Sequence, residues 1–168
     1  MTLDATAGGI SSDSYVTLAF ADNYSVNDRR YTTDFQAASD ADKETVIRQA
    51  TIELDAMNWK GTIVDTTTPQ ALRWPRSGVY SLDDVLFSTT AIPLWLQRAT
   101  AELAIGLFDD DRYGDPDTRG LRKVTAGEVA VSFDRKDKST RNPITVQRMI
   151  SPYIINGSVG NVITLIKA

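Results

Sequence analysis

Side chains able to make or break bonds are scarce in this sequence. Its 168 residues contain no His and no Cys, which removes imidazole-based triads, Cys nucleophiles, thiolate zinc sites and disulfides together. No Ser is followed three places later by Lys, and neither Gly-x-x-x-x-Gly-Lys nor Gly-x-Gly-x-x-Gly occurs. The Ser–Lys dyad and both glycine-rich phosphate loops are therefore missing. Carboxylates remain. Asp109-x-Asp111-x-Tyr113-Gly114 opens like a calcium loop, but Tyr113 stands where a ligand belongs and Gly120 holds the twelfth position, where a bidentate Glu is needed. The offset frame Asp115-x-Asp117-x-Arg119-Gly120 ends on Ala126 and fails in the same way. Both read as solvated acidic loop. Glu53 and Glu102 could in principle serve acid–base work, yet both fall on helix positions where surface charge is usual. The expectation is a protein that is not an enzyme and has no metal and no cofactor.

Binding chemistry has more to build on. The net charge is −4, but it is unevenly spread. Residues 1–118 hold nine Lys and Arg against nineteen Asp and Glu, a net −10, whereas residues 119–168 hold nine against three, a net +6. Such a division suits copies stacking acid against base, a basic arm reaching toward a polyanion, or a chance excess on two solvated faces. Arg119, Arg122, Lys123, Arg135, Lys136, Lys138 and Arg141 supply the cations a nucleic acid would need, with Phe133 the one aromatic among them. With a sequence pI near 4.8, tight binding to free DNA is not expected, while transient contact with a passing phosphate backbone is. Trp59, Trp74 and Trp95 could be stacking platforms, but their apolar neighbours favour a place in the core.

The elements that must position these groups are mostly helical. The small polar residues of 1–13 suggest a mobile arm. Ser14 can cap a short helix carrying Leu18, Ala21 and Tyr24. Ser39-Asp40-Ala41-Asp42 is a capping box opening a helix with Val46, Ile47, Ala50, Leu54 and Met57 on one stripe, ending near Asn58 or Gly61. Residues 62–90 read as irregular, broken by Pro69 and by Trp74-Pro75-Arg76-Ser77-Gly78. Pro93 opens a second strong helix through Trp95, Leu96, Ala99, Leu103 and Leu107. The phrases Gln49–Leu54 and Arg98–Leu103 share Ala-Thr-x-Glu-Leu, so Ala50 and Ala99 predict a close approach of these two helices. Beyond Gly120 the period changes: a hairpin is expected around Ala126-Gly127, a charged loop over 134–142, a short helix from Pro143 to Pro152, and a strand-like tail over 161–166. No apolar run is long enough to span a membrane, and Met1-Thr2-Leu3-Asp4 has no secretion-signal character. The expected organisation is an arm (1–13), a helical core (14–118), a hairpin with a basic loop (119–142) and a C-terminal helix and tail (143–168).

Four ordered motifs carry a family resemblance. They are Ser14-Tyr15-Val16-Thr17-Leu18 with Ala21-Asp22-x-Tyr24, and Ala50-Thr51-x-x-Leu54-Asp55-x-x-x-Trp59-x-Gly61. Gln70-Ala71-Leu72-x-Trp74-Pro75-Arg76-x-Gly78 and Ile92-Pro93-x-x-Leu96-x-x-Ala99-Thr100-x-Glu102-Leu103-Ala104 follow. Together the sequence resembles head–tail connector (head-completion adaptor) proteins of tailed phages, some of which carry a DnaT-like single-stranded-DNA-binding label. The resemblance implies a mainly α fold, a small helical bundle with a β-hairpin arm and an extended C-terminal strand. It makes Trp59, Trp74, Pro75, Arg76 and Pro93 structural motif residues. It implies a structural virion protein of the neck, assembled in the host cytoplasm as a dodecameric ring of identical copies. Its partners would be the portal protein and a stopper or tail-terminator protein, with double-stranded DNA touching the lumen only in passing. The tail would dock on the portal through Val159, Val162, Ile163, Thr164, Leu165 and Ile166. Asp109, Asp110, Asp111, Asp115 and Asp117 of one copy would meet Arg119, Arg122, Lys123, Arg135, Lys136, Lys138 and Arg141 of the next. The rival reading is a single-stranded-DNA-binding accessory protein of replication.

Overall fold

A computed structural model describes residues 2–29, 32–64, 69–109, 123–126, 129–132 and 143–155. Among them the chain is mainly α. The helices are α1 (Leu18–Asn27), α2 (Thr33–Ala37), α3 (Asp40–Asp55), α4 (Leu94–Asp109) and α5 (Ile144–Ile150), the last continued by a 3-10 turn over Ser151–Tyr153. Two antiparallel ribbons pair β1 (Thr62–Ile63) with β2 (Arg76–Ser77), and β3 (Lys123–Ala126) with β4 (Val129–Ser132).

The helix α4 is the axis of the bundle, since α1, α2, α3 and α5 all pack on it. Ala99, Thr100, Ala101, Glu102, Leu103, Ala104 and Ile105 are consecutive and all buried, as befits a helix surrounded on every side. Its first turn forms on Pro93, whose carbonyl accepts from the N–H groups of Leu96 and Gln97 at 3.0 and 3.1 Å. Against it lies α3, which opens as the capping box requires. Ser39 Oγ accepts from Asp42 N–H at 3.2 Å and donates to the Asp42 carboxylate at 2.7 Å. Ile47, Ala50 and Leu54 are fully buried, with Val46 and Met57 packed on the core's edge. Ala50 and Ala99 leave room for two backbones to approach. The neighbouring hydroxyls of Thr51 and Thr100 donate to the carbonyls of Ile47 (2.9 Å) and Leu96 (2.8 Å) and so remain satisfied in the dry contact.

Several local features differ from the sequence reading. Helix α1 is capped by Thr17, whose hydroxyl accepts from Phe20 N–H at 3.2 Å. Ser14 instead donates to the Val16 carbonyl at 2.7 Å, where the chain bends at the buried Tyr15 and Val16 before α1 begins. The opening segment, expected as an arm, folds back on the bundle. The Asp4 carbonyl accepts from Asp13 and Ser14 N–H, the Gly9 carbonyl accepts from Ala71 N–H, and the Asp13 carboxylate holds Arg48 at 2.7 Å. Phe35 of α2 is fully buried, edge-on to Phe108 at 5.9 Å. The expected hairpin is present, with Ala126 opposite Val129, and Pro143 caps α5, which buries Val146 and Ile150. The expected strand over 161–166 lies outside the described residues. Leu103→Ala, which empties a fully buried position of α4, is expected to lower stability by about 2–5 kcal/mol in denaturant unfolding.

Candidate nucleic-acid interface

Beyond α3 the chain builds a turn-rich surface from backbone pairing. Trp59 lays its indole back on the helix end, donating from Nε1 to the Leu54 carbonyl at 3.0 Å. Asn58–Lys60 runs antiparallel to Tyr153–Ile155: Lys60 N–H donates to the Tyr153 carbonyl (2.9 Å), Ile155 N–H to the Asn58 carbonyl (2.6 Å), and Trp59 faces Ile154. The chain then reverses at Gly61, with φ +73°. A Cβ there would lie 2.3 Å from the Ser77 carbonyl oxygen and 2.5 Å from Val79 Cγ2, so no side chain fits. Arg76 closes the turn. Its guanidinium donates to the carbonyls of Lys60 (2.7 Å), Gly61 (2.6 Å) and Arg73 (3.2 Å), leaving its charge uncompensated by any of the three.

Five aromatic rings hold this surface to the bundle. Trp74 meets Trp59 edge-on at 5.8 Å and Trp95 edge-on at 5.3 Å. Tyr153 stacks on Trp95 at 4.2 Å and 21°, and Phe87 packs against Trp74, Trp95 and Tyr153. Trp59 and Trp74 are buried, so they are core and not open platforms. The indole N–H groups of Trp74 and Trp95 are buried without a hydrogen-bond partner among the described residues; perpendicular ring contacts such as theirs are the geometry in which an N–H can face a π cloud.

The described cations divide into paired and unpaired, with Arg98 and Arg148 exposed singly on α4 and α5. Arg29 pairs with Glu102, Lys43 with Asp22, and Arg48 with Asp13 and Glu44. Lys60, Arg73 and Arg76 make no ion pair among the described residues and rest on carbonyls. Lys60 Nζ donates to Pro152 (2.7 Å) and Arg73 Nη1 to Met57 (3.4 Å). Burial first, and then the nearby charge of Arg73, hold the Arg76 guanidinium below its ordinary value, with Asp55 acting the other way. Asp55 is the frame of this corner: its carboxylate accepts from the Tyr15 hydroxyl and from Arg73 N–H at 2.7 Å. Burial, then Asp55, push the Tyr15 phenol well up. Tyr80 follows β2 and is, among the described residues, the one exposed aromatic. It faces Leu86 across a turn in which Ser81 Oγ accepts from the N–H groups of Asp83 (3.2 Å) and Val85 (3.1 Å).

The residues singled out from sequence fall in three places. Trp59, Trp74, Pro75 and Pro93 are buried, and Arg76 is the clamp just described. Glu53 of α3 and Glu102 of α4 are buried and not on the surface; at Glu102 the reason is that α4 has no solvent face at this level. Glu102 accepts from the Tyr24 hydroxyl (3.2 Å) and Thr145 hydroxyl (3.1 Å) and lies 3.5 Å from Arg29, so it fastens α1 and α5 to α4. Asp109 ends α4 and Lys123 opens β3. Asp110, Asp111, Asp115, Asp117, Arg119, Arg122, Arg135, Lys136, Lys138, Arg141, Val159, Val162, Ile163, Thr164, Leu165 and Ile166 lie outside the described residues. The sequence reading passed over Lys60, Arg73 and Tyr80, which are isolated in a stretch without periodicity.

The family model described as "Putative DnaT-like ssDNA binding protein" matches residues 1–166. The chain belongs to this DnaT-like family. No curated protein and no solved structure matches it. The family match overturns the head–tail connector reading, and with it the virion neck role, the dodecameric ring, the portal and stopper or tail-terminator partners, and duplex DNA passing through a lumen. The physical reason lies in what the resemblance rested on. Tyr15, Leu54, Trp59, Trp74, Leu96, Ala99 and Leu103 are buried, and Gly61 is a turn no side chain fits. They encode a packing scheme, and a packing scheme does not name a ligand.

Two outcomes follow from this geometry. Gly61→Ala forces a side chain into a closed contact at positive φ and is expected to cost about 1–3 kcal/mol, with altered near-ultraviolet dichroism from the Trp cluster. The Tyr24 phenol is pushed up to about 12, by burial first and then by Glu102. The folded chain thus holds this proton more tightly than the unfolded chain, whose tyrosines titrate near 10. Tyr24's contribution is complete below about pH 10 and is lost as pH rises through about 12. Unfolding free energy should therefore fall across that window, and less steeply in Tyr24→Phe.

Proposed function

We propose that the protein binds single-stranded DNA as a replication accessory, without catalysis of its own. The observation that carries this reading is the family match, which extends over residues 1–166. The charge pattern supports it. Cations resting on carbonyls keep their net charge, which an ion pair would cancel, and residues 119–168 add a net +6. With a whole-chain charge of −4, attraction has to come from local clusters, so binding is expected to be moderate and strongly salt-dependent.

Fluorescence anisotropy of a labelled oligothymidylate tests this. Titration with the protein should give saturable binding, tighter than for a duplex of equal length, and log K should fall linearly with log salt by about 0.7 per phosphate contacted. No anisotropy change at low salt, or equal affinity for duplex, would count against it.

A further inference from the structure

We propose that the strand crosses the turn-rich surface at the end of α3, with phosphates at Lys60 and Arg73 beside the Arg76 guanidinium and a base stacked on Tyr80. This rests on the single-stranded-DNA reading and gives it a site.

The cations here differ from the others described. Arg29, Lys43 and Arg48 are matched by carboxylates and Arg98 and Arg148 stand singly on α4 and α5, whereas Lys60, Arg73 and Arg76 converge around one turn and make no ion pair among the described residues. Arg76 reaches the backbone of both Lys60 and Arg73, and the charge of Arg73 weighs against that of Arg76. An anion between them relieves that crowding. The cations are also held in place before any ligand arrives. Lys60 is pinned through its N–H to Tyr153, Arg73 through its N–H to Asp55, and Arg76 through three carbonyls. A frame already ordered spares the ordering cost of binding.

The stacking partner follows from the same turn. Val79 packs against Gly61, whose carbonyl holds Arg76, and Tyr80 is the next residue, 55% exposed. Its place in the turn is fixed by pairing with Leu86 and by the Ser81 hydroxyl. Asp83 and Asp84, at the tip beyond it, repel phosphate. The backbone of a strand is thereby kept on the Lys60–Arg73 side while its bases turn toward Tyr80. Charge and a ring face are the two means of contact, and neither reads a base edge, so the site carries little sequence preference.

The test uses the full chain and a labelled oligothymidylate. Lys60→Gln with Arg73→Gln should lower the salt slope by about 1.4. Tyr80→Ala should weaken binding about 5- to 100-fold and Tyr80→Phe should restore it, while Arg98→Gln, on an exposed cation of α4, changes neither. Unmodified protein irradiated with an iododeoxyuridine-substituted oligonucleotide should crosslink at Tyr80, which gives an answer even if a variant fails to fold. Binding by the parent protein with an unaltered double variant, or crosslinks confined to residues 119–141, overturns the site and leaves the family reading standing. Equal losses in Tyr80→Ala and Tyr80→Phe overturn the stacking. A parent protein that binds no oligonucleotide overturns both.

Discussion

The nine consecutive buried residues of α4, 99–107, govern the rest of the molecule, because a stretch of helix with no solvent face must satisfy every polar group within the protein. Alanines at 99, 101 and 104 let the other helices come close. Thr100 returns its hydroxyl to its own helix, and Glu102 is accepted only because Tyr24, Arg29 and Thr145 converge on it. Removing one partner of such a carboxylate exposes the full cost of burying the charge. The bundle is therefore fixed by a polar requirement as much as by its apolar surface. The turn-rich corner is built on the far end of the helix that lies most closely against α4.

Net charge conceals how the ions are used. The acidic N-terminal two-thirds of the chain looks hostile to DNA when only summed. In the fold, Asp13, Asp22, Glu44 and Glu102 are taken up by Arg48, Lys43 and Arg29. Asp55 is occupied by Tyr15 and a backbone N–H. Of the cations left over, Lys60, Arg73 and Arg76 gather around one turn, and a polyanion responds to that local field more than to the total.

What the sequence revealed, and what it hid, follows from the range of the forces involved. Helical stripes and caps are local, so α3 and α4 could be read from Ser39, Ala50, Leu54, Pro93, Ala99 and Leu103, and the β3–β4 ribbon from a change of period. The β1–β2 ribbon has two residues per strand, too few for any alternation to show. It exists because Arg76 ties Lys60 and Gly61 to the far side of a long loop. Glu102 looked superficial because its helix was taken to have a wet face, and only the tertiary arrangement removes that face. Lys60, Arg73 and Tyr80 are far apart in a segment without period, so nothing local joins them. The family resemblance followed buried side chains, which is why it described a bundle correctly and its occupation incorrectly.

The lacing of Asn58–Lys60 to Tyr153–Ile155 bears on how the protein is made. Those strands are separated by more than ninety residues, and closing so long a loop is entropically slow. A chain emerging from the ribosome can assemble α1 to α4 well before Tyr153 is synthesised. Until then Trp95 lacks its stacking ring and Lys60 its carbonyl partner. A product that ended after α5 but before Tyr153 would thus carry an unfinished corner, so completion of translation itself becomes a condition for that corner to take shape.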